Sequence, residues 1–153
     1  MKQKHKQMLD EALESLNLLG IKNDKIMIVG SIALDICGLF PKCRLEAHDV
    51  DVVVKATPEE QNQIIKMIKI INDVNKTSNK VFGSSDCSCY VLNLKNVVMN
   101  IWFYHPDASF NTEIKLENGV WVERPVDCFN KKKSYGRPKD FRDLNNIATM
   151  YIL

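Results

Sequence analysis

The chain has 153 residues, 45% hydrophobic and 26% charged, the balance of a globular domain with a core of its own rather than of a disordered segment. A formal net charge of +2 argues against the concentrated basic face of a duplex-binding protein, and no stretch approaches the roughly 20 consecutive apolar residues of a membrane span. Five cysteines without a CxxC pair point to reduced thiols, and Asp10, Glu11 and Glu14 interrupt the opening segment where a signal peptide needs an unbroken apolar run. A cytoplasmic protein with one domain over residues 1–153 is expected.

In chain order, Met8, Leu9, Ala12, Leu13, Leu16 and Leu19 fall at helical spacing, and Gly20 stands where that helix would stop. Lys25 to Val29 reads as a short strand, Gly30 and Ser31 as a tight turn, and 32–38 as a second helix. Residues 39–48, with Pro41 and mixed charges, read as a loop, and Asp49 to Val54 (DVDVVV) as a β-branched strand. Thr57, Pro58, Glu59 and Glu60 form a capping box with proline at the first helical position, which predicts a helix from there to about Asn75.

Beyond it the period changes to two. Val81 and Phe82, then Cys89 to Leu94, a Lys95-Asn96 turn and Val97 to Tyr104 predict antiparallel strands. Glu113 to Leu116 and Val120 to Glu123, joined through Asn118-Gly119, predict another hairpin. Asp127 is expected to cap a short helix through the Lys131–Lys133 run, which Gly136 ends. Pro138 is expected to open a last helix burying Phe141, Leu144, Ile147 and Ala148. The cysteines, without the usual zinc spacing, are expected to be small buried thiols.

Two places carry chemistry. At Gly30-Ser31 a strand hands over to a helix, where backbone N–H groups favour a phosphate, although a Gly-Ser pair is also a common plain helix entry. Asp49 and Asp51, two apart on a strand, point to one face while Val50, Val52 and Val54 point to the core. Two such carboxylates repel, and Mg²⁺ completed by phosphates and water relieves that repulsion. A solvated strand entrance is the other reading of the same residues.

Taken together and in order, GSIAL at Gly30 to Leu34, Arg44 in the loop, DVD at Asp49 to Asp51, and Lys132, Arg137, Lys139, Asp140, Asp143 and Leu144 in a K-x4-R-x-K-D-x-x-D-L pattern give the chain a family likeness. It resembles the minimal nucleotidyltransferases of the DNA polymerase beta superfamily, in the bacterial and phage group related to abortive-infection toxins, from Lys25 to Leu144. The resemblance implies an α+β nucleotidyltransferase fold, a mixed, mostly antiparallel sheet flanked by helices. It implies catalytic Asp49 and Asp51, a Mg²⁺ or Mn²⁺ ion at Asp49, Asp51 and Asn100, and a nucleoside triphosphate on Gly30, Ser31, Lys132, Arg137 and Lys139. The acceptor hydroxyl would belong to a small molecule, a protein or an RNA end, and a toxin-antitoxin setting would add a protein partner.

Active members of that superfamily add a third carboxylate from a neighbouring strand, and here VVMNIWFY puts Asn100 in its place. An amide oxygen can ligate a hard cation but cannot take a proton. The alternative is therefore a catalytically impaired relative that binds nucleotide as a regulator, antitoxin or scaffold. Asp86 and Asp107 flank the same strands as substitute acids. A nucleic-acid module built on the basic ends, Lys2 to Lys6 and Lys131 to Arg142, fits poorly with the nearly neutral total charge.

Overall fold

The computed structural model describes residues 1–84 and 87–152. Along them run α1 (Gln3–Leu18), β1 (Ile26–Val29), α2 (Gly30–Ile36), β2 (Asp49–Lys55), α3 (Pro58–Val74), β3 (Val81–Ser84), β4 (Cys87–Asn93) and β5 (Val98–Tyr104). The chain continues through β6 (Ile114–Lys115), β7 (Trp121–Val122), α4 (Pro125–Tyr135) and α5 (Pro138–Ile147). The described strands form one sheet in the order β3-β4-β5-β2-β1-β7-β6. Pairs β1/β2, β3/β4, β4/β5 and β6/β7 are antiparallel, while β2/β5 and β1/β7 are parallel, so the α+β class and a mixed, mostly antiparallel sheet are observed. No described helix is long and apolar enough to cross a membrane.

The period of two in β2 decides which face of the sheet is the core. Val50, Val52 and Val54 are fully buried and join Ile26, Ile28, Leu92, Met99 and Ile101 beneath α1 and α3. Asp49, Asp51 and Val53 take the other face, where Val53 packs with Met27, Val29 and Phe110. That second face is thus apolar at one end of β2 and acidic at the other. Thr57 and Glu60 cap α3 reciprocally, with Glu60 N–H on Thr57 Oγ1 at 3.2 Å and Thr57 N–H on Glu60 Oε1 at 3.0 Å, as the sequence predicts.

Several local expectations are corrected. Helix α2 begins at Gly30 itself rather than two residues later, and Asp127 does not cap α4: Pro125 opens that helix, and the Asp127 carboxylate pairs with Arg124 Nε at 2.9 Å. The last helix buries Ile147 as expected, but Leu144 and Ala148 are half-buried and Phe141 is 48% exposed along a groove, while Asp140 and Asp143 are buried with cationic partners. Cys89 and Cys128 are buried as expected, whereas Cys37 is half-buried and Cys43 exposed. Strand β7 pairs with β1 in parallel, a long-range partnership that a local pattern does not contain.

His5 ties the front of the molecule together and gave no signal in the sequence. It is fully buried; its Nε2 accepts the Ala47 N–H at 2.8 Å, so the ring proton sits on Nδ1, which donates to Asp35 Oδ2 at 2.7 Å. One ring therefore joins α1, the end of α2 and the residue two positions before β2. Replacing it with leucine leaves the buried Asp35 carboxylate with the Lys2 N–H but not the imidazole, and takes the acceptor from the Ala47 N–H. The variant His5→Leu is expected to lose about 2–4 kcal/mol in urea unfolding. A loss under about 0.5 kcal/mol would show that the ring contributes volume alone.

Candidate functional site

The acidic end of β2 is built by register. Asp51 lies opposite Val29 of β1 on one side and Asn100 of β5 on the other, so β2 is flanked where its acids emerge. Asn100 Nδ2 donates to Asp49 Oδ2 and to Asp51 Oδ1, each at 2.8 Å. Asn100 thus faces the pair with its nitrogen, and each amide proton serves one carboxylate.

Gly30 closes the other side. Its φ is +70°, and a Cβ built there would stand 2.7 Å from Asp51 Oδ2, so both conformation and space call for glycine. Burial and, next, the charge of Asp49 push the Asp51 carboxyl up to about 6, while the Asn100 bond and the charges of Lys132 and Lys139 pull the other way. Those lysines, 81 and 88 residues along from Asp51 in sequence (132 − 51 and 139 − 51), therefore act on the acid in space.

A second layer gathers around Asp143. Its Oδ2 accepts from Lys132 Nζ at 3.0 Å and from Arg44 Nη1 at 3.2 Å, and the same Arg44 nitrogen donates to Ser31 Oγ at 3.0 Å. Ser31, Arg44 and Lys132 are brought together in this way, and buried contacts among Leu34, Cys128 and Ile147 lock α2, α4 and α5 behind them. Lys139 is exposed. Arg137 is placed differently from the other basic residues: it forks onto Asp140 at 2.6 and 3.1 Å, caps α5 and lies over the Tyr135 ring.

Glu123 escaped the sequence reading. It is 3% exposed, its Oε1 accepts the Gly30 N–H at 3.3 Å, and its Oε2 pairs with Lys131. The Gly30 N–H, expected to meet a phosphate, is engaged by this carboxylate, which holds the turn from the side away from Asp51. Nothing local marks Glu123, since it ends an ordinary strand. The adjoining Cys128 thiol is pushed up to about 12, chiefly by burial, and donates to Gly30 O across 3.6 Å.

Asp107 is exposed beside His105, beyond the Tyr104 end of β5, and does not join the pair; Asp86 lies outside the described residues. Among the described residues no third His, Cys, Asp or Glu completes a metal cluster, and Asp49 and Asp51 enter no ion pair. Three grooves of about 500, 470 and 420 Å³ lie along α5 and Cys43, beside Lys2 and Arg44, and along α1 near Asn118, and neither acid lines any of them.

The sequence matches no protein-family model and none of the curated proteins. Two solved structures share its shape in part. JHP933 from Helicobacter pylori is 15% identical, with 99% of this chain and 68% of that one covered and a TM-score of 0.47. A candidate nucleotidyltransferase from H. pylori is also 15% identical, with 99% and 71% covered and a TM-score of 0.46. A likeness of this size leaves function to the geometry of the site.

The raised Asp51 carboxyl has a sign. The folded chain holds this proton to about pH 6 and the unfolded chain only to about 3.8, so folding binds a proton between those values. Stability from this group falls as pH rises from about 4 to about 6 and is flat beyond. Asp51→Asn is therefore expected to be more stable than the wild type at pH 7.5, by on the order of 1–3 kcal/mol, with the gap closing near pH 4. Thermal melts at the two pH values check it. Gly30→Ala is expected to cost about 1–3 kcal/mol from the left-handed backbone and the displaced Asp51 carboxylate, read in the same melts.

Proposed function

We propose that the chain is a nucleotidyltransferase-fold enzyme that moves a nucleoside monophosphate from a nucleoside triphosphate to a hydroxyl acceptor, with Mg²⁺ or Mn²⁺ at Asp49 and Asp51. One observation carries the reading: two carboxylates from one face of β2 converge beside the Gly30 turn within reach of the charges of Lys132 and Lys139. The donor set fits such a cation. Mg²⁺ is commonly held by one or two carboxylates and completed by substrate phosphates and water, and burial together with the charge of Asp49 already raises Asp51. A bound cation supplies charge neutralisation at the phosphate oxygens.

The chain's own groups do the rest. The acceptor oxygen bonds to the α-phosphorus as the bond to pyrophosphate breaks, and the hydroxyl proton passes to solvent, because Asp49 and Asp51 are committed to the cation and the Asn100 amide cannot take a proton. Lys132, Lys139 and the Ser31 hydroxyl hold the departing phosphates, and Asp143 keeps Lys132 and Arg44 aimed toward them. Arg137, occupied by Asp140, reaches a phosphate only by leaving its cap. The acceptor belongs to a small molecule, a protein or an RNA.

A second reading has its own observation. Asn100 stands where the resemblance calls for a third carboxylate, and it favours a relative that binds nucleotide without turning it over, as a regulator, antitoxin or scaffold. Incubation with each labelled nucleoside triphosphate and Mg²⁺ or Mn²⁺ separates the two. The enzyme is expected to transfer label or release pyrophosphate, at least about 100-fold faster than an Asp49→Ala, Asp51→Ala double variant. Nucleotide binding without turnover supports the regulator, and equal rates in the double variant remove the acids from the chemistry.

A further inference from the structure

The geometry at Asn100 says more than that an acid is missing. Two carboxylates on one strand face need a positive partner between them, and here a single amide nitrogen meets that need, with one N–H on Asp49 Oδ2 and the other on Asp51 Oδ1, both at 2.8 Å. The reverse orientation of the amide would set three oxygens against one another, so the hydrogen bonds fix which atom faces inward. Its position is fixed as well, because Asn100 is in register with Asp51 and lies between the buried residues Met99 and Ile101 of β5. A cation seated between Asp49 Oδ2 and Asp51 Oδ1, the two oxygens that Asn100 ties together, takes the place of both charge-assisted bonds, and the amide must turn or withdraw to admit it.

We infer that Asn100 is an internal stand-in for the cation, a latch that keeps Asp49 and Asp51 assembled without metal and makes metal entry depend on the triphosphate arriving with it. The inference rests on the reading of Asp49 and Asp51 as a cation site. A free dication between these two oxygens gains two carboxylates but displaces two hydrogen bonds. A dication that brings phosphate oxygens, themselves met by Lys132 and Lys139, has further interactions to offset that loss. Asn100 is then a positioning residue that sets the order of binding, and a carboxylate in its place would let the metal bind alone.

The test uses MnCl₂ as probe on the full chain, with binding followed by electron paramagnetic resonance and by melting temperature, and with α,β-methylene analogues of the four ribonucleoside triphosphates as partners. Wild type is expected to bind Mn²⁺ alone at least about tenfold more weakly than Asn100→Asp, a floor that the loss of either of the two charge-assisted hydrogen bonds would already reach. One analogue together with Mn²⁺ should raise the wild-type melting temperature by more than the two separate shifts combined. Asn100→Ala, which removes the latch without adding charge, should bind Mn²⁺ alone more tightly than wild type, and it keeps the test open if Asn100→Asp does not fold. Equal Mn²⁺ affinity in wild type and both variants overturns the latch while leaving the acids a cation site. No Mn²⁺-dependent shift in any form, with any analogue, overturns the cation site and the inference with it.

Discussion

The interaction on which the rest of the site depends is the repulsion between Asp49 and Asp51. Strand alternation forces them together on the face that the valines do not take, and hydrophobic burial of Val50, Val52 and Val54 leaves the strand no freedom to turn them apart. The neighbours answer that repulsion in three ways. Asn100 supplies a donor to each acid, Lys132 and Lys139 supply charge at longer range, and Gly30 supplies room for Asp51 Oδ2 where any side chain would collide. The acids are held buried and close at a cost, seen in the carboxyl of Asp51, which burial raises first and the charge of Asp49 next. A fold keeps such a cost at a functional site more readily than in a plain strand entrance.

Behind the acids, the C-terminal helices deliver cations by burying their own carboxylates. Asp140 and Asp143 sit where an amphipathic helix would ordinarily place apolar residues, and each draws basic side chains inward: Arg137 to Asp140, Arg44 and Lys132 to Asp143. The two do different things. Asp140 closes a helix cap and occupies Arg137, whereas Asp143 spans the loop, α2 and α4 and leaves Lys132 close enough to act on Asp51. The motif that reads as one basic-acidic string in sequence separates in space into a structural half and a half turned toward the site.

What the sequence made legible follows from the range of each signal. The capping box, the DVD strand and its valine core, the Asn-Gly hairpin and the glycine stop at Gly136 are written in a few adjacent residues, and they appear where expected. Asp49, Asp51, Gly30 and Ser31 could be named because the strand and turn carrying them were clear, whereas Asn100 and Lys132 were named through the family resemblance. Partners could not be named. The parallel pairing of β7 with β1, the bridge from His5 to Asp35 and Ala47, and the Glu123 bond to Gly30 join residues from 30 to 94 positions apart (30 for His5 and Asp35, 94 for Met27 and Trp121), and no local period records them. The last helix misled for a related reason: its inward face follows from where Arg44 and Lys132 arrive, not from its own hydrophobic pattern.

Glu123 shows how these long-range contacts shape the chemistry. A helix entrance of glycine and serine offers a phosphate its free N–H groups, yet here the first of them is satisfied by a buried carboxylate that is itself neutralised by Lys131. Carboxylates therefore flank Gly30 on both sides, Asp51 on one and Glu123, with its Lys131 partner, on the other. A phosphate at this turn would meet two carboxylates unless positive charge came with it or stood near. Arg44, tied to Ser31, and Lys132, tied to Asp143, are the positive groups that the chain places near it. The turn is thus one where an anion and a cation would be coupled by electrostatics, because the acids around Gly30 disfavour an anion that arrives without positive charge.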